Sequence, residues 1–190
     1  MPSKDITDNL PNPGARLSAS ASHRRDGPAR QGWGGLKQFV PSSVCLQCEG
    51  CCRFQLAESP WRPKVGEQEA QDGVDQAGYL KTIAQRGHYN CVFFNKKDST
   101  CGIYGHRPFE CALYPFVLSK SKERLELYVH LACPYIQEHH LNQDLKIHTD
   151  YLKVFFAQTQ VKDFLKHNSR LLHDYTPYRQ ELEFLFTIEV

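Results

Sequence analysis

All eight cysteines of this 190-residue chain lie between Cys45 and Cys133, leaving none in the first 44 residues or the last 57. Four form one block, Cys45-Leu-Gln-Cys48-Glu-Gly-Cys51-Cys52, and Cys91, Cys101, Cys111 and Cys133 follow. Three chemistries compete for such a set: disulfides, unbound thiols and metal ligation. No apolar leader follows Met1-Pro2-Ser3-Lys4-Asp5, so the expected compartment is the reducing cytoplasm, where structural disulfides seldom persist. Adjacent Cys51 and Cys52 could pair only in a strained ring. Unbound cysteine usually behaves as a small buried hydrophobe, yet this block is flanked by Gln47, Glu49, Gly50 and Arg53, the composition of a loop. Metal ligation is therefore the expected role of all eight.

Two-residue spacing lets thiolates at i and i+3 of a Gly-containing turn converge on one centre without strain. Neighbouring Cβ atoms point apart, so Cys51 and Cys52 do not easily share a centre, and the doublet points to two sites or to one site and a spare thiol. The favoured division is Cys45, Cys48, Cys51 and Cys133 in one set, with Cys52, Cys91, Cys101 and Cys111 in the other. Cys133 joins the first set by analogy with ferredoxin motifs, in which C-x2-C-x2-C is complemented by a Cys-Pro, here Cys133-Pro134.

These residues also carry a resemblance. The block at Cys45 to Cys52, Cys91-Val-Phe-Phe94, the run Cys101-Gly-Ile-Tyr104-Gly-His-Arg107-Pro108-Phe-Glu-Cys111-Ala-Leu-Tyr114-Pro115 and Cys133-Pro134 together resemble the YkgJ-type cysteine-cluster family. The likeness spans roughly residues 45 to 134 and includes every cysteine. It implies a domain that chelates zinc or iron. One departure is Ala112, where that family usually has Arg, which puts in doubt any anion contact made by that side chain. Relatives of this kind include flagellin lysine N-methylases, which look like iron–sulfur enzymes acting with S-adenosylmethionine. The resemblance thus implies an alternative reading as a methyltransferase-like enzyme. Those enzymes are considerably larger, and this chain shows no Gly-rich phosphate or methyl-donor signature.

Among the other motif residues, Pro108 disfavours a helical Arg107 and presets the turn entering Cys111. Arg107 could donate to thiolate or sulfide, pair with Glu110 at the surface, or grip a substrate carboxylate. Tyr104, Phe109, Tyr114 and Phe116 bring aromatic bulk near the cysteines and would exclude water from a metal centre; Tyr104 and Arg107 are taken as its supporting residues. His106 and His130 are not needed as ligands, since eight thiols already complete two tetrahedral sites.

The remaining chain sets the frame. Residues 1–40 form a basic stretch with six cationic and three acidic side chains, rich in Gly, Pro and Ser; too apolar-poor to offset ordering entropy, it is expected to be a disordered tail. Residues 41–190 are expected to fold as a single α+β domain, with a cysteine-cluster region at 45–134 and a helical extension at 140–190. A formal net charge of +2 argues against a polyelectrolyte binder, so nucleic acid is not the expected partner, and no apolar run reaches the ~18–20 residues of a membrane span. Helical spacing predicts a helix near 74–86. A short strand is expected at Cys91–Phe94. Alternation from Leu125 to Leu131 predicts a half-buried strand, paired as a hairpin with Phe116–Leu118. Leu145, Leu152, Phe155 and Phe156 predict one helix and Val161, Phe164, Leu165, Leu171 and Leu172 another. A last helix is expected to begin at Thr176-Pro177 and to carry Tyr178, Leu182, Leu185 and Phe186 on one face.

The expected function is metal binding, by a 4Fe–4S type of iron–sulfur cluster ahead of zinc. A redox-active centre would serve electron transfer, sensing or group transfer; a zinc centre would make the chain a structural interaction module.

Overall fold

The alternating run from Leu125 does form a strand. In the computed structural model, which describes residues 35–189 apart from 49, 70 and 123, β6 (Phe116–Ser121) and β7 (Arg124–His130) pair antiparallel from Phe116 opposite Val129 to Ser121 opposite Arg124. Lys122, in the tight turn between them, takes the left-handed conformation at φ 56°. Leu125, Leu127 and Val129 point into the main core, as their spacing requires. The opposite face is covered as well: Tyr128 and His130 are buried, because Trp61, Tyr175 and Tyr178 close over that side. The strand is thus buried on both faces, not half-buried.

The main core is completed by α4 (Gln143–Ala157), which buries Leu145, Leu152, Phe155 and Phe156, and by α5 (Thr159–His167), which buries Val161 and Leu165. Leu171 joins them from a 3-10 turn at Ser169–Leu171. The expected final helix is corrected. Only a 3-10 stretch, Thr176–Glu181, follows Pro177, and the chain then enters β8 (Leu182–Ile188), antiparallel to β7. β-branched and aromatic residues suit a strand, and the free edge of β7 supplies hydrogen-bond partners that a helix would forgo. A register shift opposite Leu127/Tyr128 breaks the alternation of β8, so Leu185 and Phe186 both reach the core while Leu182 faces Tyr128 and Tyr175.

The helix expected near 74–86 is also corrected. Gly73 and Gly78 adopt φ of 71° and 88°, and the Asp75 carboxylate accepts the amides of Ala77 and Tyr79 in a tight turn. Isolated bridges pair Val74 with Leu80 and Lys64 with Tyr79, after which β2 (Thr82–Gln85) runs antiparallel to β3 (His88–Cys91). β1 (Arg53–Phe54) adds to the other edge of β3. The expected strand at Cys91–Phe94 is divided: β3 ends at Cys91, and β4 (Phe94–Asn95) begins a second ribbon with β5 (Thr100–Cys101). A small second core of Phe54, Val65, Leu80 and Cys91 underlies this part.

The expected tail lies for the most part outside the described residues. Its last residues pack on the fold: Val40 is buried, Leu36 and Phe39 lie against the main core, and the Phe39 ring meets Phe116 edge-on at 5.8 Å. The Tyr151 hydroxyl fastens this segment by accepting the Lys37 amide at 2.7 Å and donating to the Gly35 carbonyl at 2.6 Å.

Candidate metal centre

Six different elements deliver the cysteines. Cys45 ends the short helix α1 (Ser42–Cys45), and Cys51 and Cys52 sit in a 3-10 turn beginning at Gly50. Cys91 and Cys101 terminate β3 and β5. Cys111 lies in α2 (Phe109–Leu113), which Pro108 introduces. Cys133 immediately precedes α3 (Pro134–His139), with Pro134 at the first helical position, where its missing N–H costs nothing.

Together they border two cavities that meet. The narrow one, of about 70 Å³, is lined by Cys52, Cys91 and Cys101, with Trp61, Leu80 and Tyr104 among its walls. The wider one, of about 450 Å³, is lined by Cys133, with Val40, Tyr135 and His139. Cys45, Cys48, Cys51 and Cys111 border both. The Cys51 and Cys52 sulfurs are 4.0 Å apart at the junction. Gly50 sets the first block beside Pro134: a Cβ there would meet the Cys48 sulfur at 3.4 Å and Pro134 Cδ at 3.5 Å, both ordinary contacts. The Gly50 amide also donates to the Cys48 sulfur at 3.3 Å. Among the described residues, no three Cys, His, Asp or Glu side chains converge into a metal-holding group; the thiols line the cavity walls.

Burial governs their acidity. It raises the thiols of Cys45, Cys101 and Cys133, pushes Cys91 up to about 11 and lifts Cys111 well above the ordinary range. Cys51 moves the other way, since its sulfur meets the Cys52 thiol and the Arg107 guanidinium lies nearby; the same contact, with burial, raises Cys52. Protons held this firmly leave most readily in exchange for a thiophilic cation. The donor set, eight free sulfurs in largely apolar walls, suits iron or zinc and not a hard cation such as magnesium or calcium.

Arg107 lies directly against this set. Its Nη1 donates towards the Cys45 sulfur at 3.8 Å, Nε to the Tyr104 carbonyl at 3.1 Å and Nη2 to the Gln38 side chain at 2.7 Å. Its guanidinium also covers the Tyr104 ring at 3.9 Å. Glu110, the surface partner considered for it, is instead half-buried and accepts the Lys64 amide at 2.5 Å, with desolvation raising its carboxyl to about 8. Tyr114 and Phe116 line the cavities, whereas Phe109 belongs to the core against Phe164 at 5.3 Å. His106 is exposed and borders neither cavity. His130 stacks on Trp61 at 4.0 Å, with Nδ1 3.4 Å from the Tyr114 hydroxyl and Nε2 3.7 Å from Glu181.

This arrangement agrees with a family match over residues 44–144, to the CxxCxxCC family, described as "Putative zinc- or iron-chelating domain". The chain belongs to the CxxCxxCC family. Comparison with curated proteins and with solved structures finds no match. The CxxCxxCC match ends before α4 is complete, so α5 and β8, which help to complete the main core, lie outside it. Three contributors to the site carried no signal in the sequence. Gln38 lies in the stretch expected to be a tail, Trp61 in an irregular segment, and Glu181 in the segment expected to be helical.

Proposed function

We propose that this protein holds two metal centres, one on Cys45, Cys48, Cys51 and Cys133 and the other on Cys52, Cys91, Cys101 and Cys111. The observation that carries this reading is the contact between adjacent Cys51 and Cys52 where the two cavities meet. One backbone turn thereby places Cys52 on the narrow cavity and Cys51 at the border of both. Cys51 bears on both sets: it raises Cys133 together with Cys48, and Cys111 together with Cys91 and Cys101.

Iron–sulfur clusters are favoured over zinc, because the C-x2-C-x2-C block is complemented by a Cys-Pro and because the Arg107 guanidinium and the Gly50 amide both face sulfur. Such a group would supply one-electron redox chemistry. The chain's own part is to surrender eight thiol protons, to balance thiolate charge through Arg107, and to exclude water with Trp61, Tyr104 and Tyr114. Eight free thiols also suit a reducing compartment, which supports a cytoplasmic location.

The test is anaerobic purification followed by an absorption spectrum and by iron, zinc and sulfide analysis of one sample. Broad absorbance near about 400 nm with iron and sulfide is the expected result. A colourless protein with stoichiometric zinc and no labile sulfide would replace the redox role with a structural one. Cys133→Ser and Cys101→Ser should each remove about half of the metal, whereas complete loss in either variant would mean a single centre.

A further inference from the structure

The sheet that carries Cys91 has a second face. Cross-strand partners share a face, so Arg53 on β1, Asn90 on β3 and Ile83 on β2 form one row, and His88 and Gln85 form the next. Cys91, Phe54 and Tyr89 alternate to the other side, towards the small core. The row of Arg53 and Asn90 opens on a cleft of about 390 Å³ that shares only Phe94 with the narrow cysteine cavity and no residue with the wider one, and is bordered also by Arg86, His88 and Lys96.

Three features of this cleft belong together. Its walls carry the cations Arg53, Arg86 and Lys96, and no carboxylate lines it among the described residues. Arg86 and Lys96 make no ion pair among those residues; Lys96 is held by the neutral amide of Gln85, so its charge stays uncompensated. The third feature is Asn90, only 3% exposed, whose buried Oδ1 has no hydrogen-bond partner. An orphaned buried amide is destabilising, and a partner from outside the chain recovers the loss. A half-turn of the carboxamide exchanges Oδ1 for Nδ2, which makes the same position a donor.

We propose that this cleft binds a phosphate-bearing small molecule, with Arg86 and Lys96 pairing with its phosphate oxygens and the Asn90 amide hydrogen-bonding it from within the cleft. Guanidinium and ammonium groups grip phosphate through charge-assisted hydrogen bonds, and a cleft of this volume suits a small ligand. The row of Arg53, Asn90 and Ile83 faces the other side of the sheet from Cys91, so the cleft takes no part in metal ligation, and the titrations use protein with its metal retained.

The test is calorimetric titration of the full chain with inorganic pyrophosphate at low ionic strength, comparing the unaltered protein with the R86Q/K96Q double variant. A K146Q/K166Q variant, altered on α4 and α5, serves as the charge-matched control. Saturable binding near one to one is expected, weakened at least tenfold by R86Q/K96Q and unchanged by the control. The side-chain amide resonances of Asn90 should shift during the titration while those of Asn142 stay in place. No saturation up to about 10 mM, equal weakening by both double variants, or a stationary Asn90 amide would each overturn the proposal. Metal content in R86Q/K96Q should equal that of the unaltered protein, which keeps this outcome separate from that of the metal centres.

Discussion

Gln38 and Arg107 lie 69 residues apart in the chain and 2.7 Å apart in the fold. The Gln38 carbonyl oxygen accepts from both Arg107 and the Tyr104 hydroxyl, and its amide nitrogen donates to Val40. The same guanidinium reaches the Cys45 sulfur, so the segment before the cysteine block holds the cation that faces the block.

Removal of Arg107 should therefore loosen the metal. Arg107→Ala is expected to speed metal transfer to a chelator about tenfold, the lower end of the usual effect of a residue that orients a ligand. Gln38→Ala should speed it less, by about two- to threefold. Stopped-flow measurement with a coloured chelator would check both, and an unchanged rate in Arg107→Ala would remove that residue from the site.

Stripping the metal should not unfold the protein evenly. The core beneath β6, β7, α4 and α5 is a large apolar cluster, while the part around β1 to β3 rests on four buried residues. Hydrogen exchange after chelation is expected to show lost protection at residues 82–91 and retained protection at 116–130, because metal binding contributes folding free energy where the apolar core is small. Uniform loss across both would contradict this.

Acid should weaken the fold through His148. Its ring lies against Phe39 and Phe116, and burial lowers it to about 4 from an ordinary 6.5, with Lys37 nearby adding to the shift. The folded chain therefore binds this proton less readily than the unfolded chain. Stability is fully present above about 6.5 and falls as pH drops towards 4. Thermal melts of the His148→Phe variant should show a shallower decline over that window than the unaltered protein, and identical slopes would rule out this histidine as a contributor.

Trp61 stacks between His130, at 4.0 Å, and Tyr175, at 5.3 Å with nearly parallel planes, while lining the narrow cysteine cavity. Trp61→Ala should cost about 3 kcal/mol in chemical denaturation, and Trp61→Phe less. In the Ala variant, chelator access to the metal should also quicken relative to the Phe variant.

Much of this was readable from residue spacing where one periodicity dominated. Leu125, Leu127 and Val129 alternate without interruption, and Leu145, Leu152, Phe155 and Phe156 keep to one helical face. The signal failed where a local conformation overrode the pattern. Val74, Ala77 and Leu80 have helical spacing, but left-handed Gly73 and Gly78 with the Asp75 turn bend that segment into bridges. In β8 the register shift at Leu185 disguises a strand as a helical stripe. All eight cysteines were conspicuous in sequence, whereas Gln38 and Trp61 act through distant contacts that no local pattern encodes.

The pairing of β7 with β8 also bears on how the molecule is made. β7 leads directly to Cys133, and its outer edge is closed only by residues 182–188. Cys52, Cys91, Cys101 and Cys111 all leave the ribosome well before that strand exists. The strand leading to Cys133 therefore becomes an inner strand only when the nascent chain has grown through Ile188.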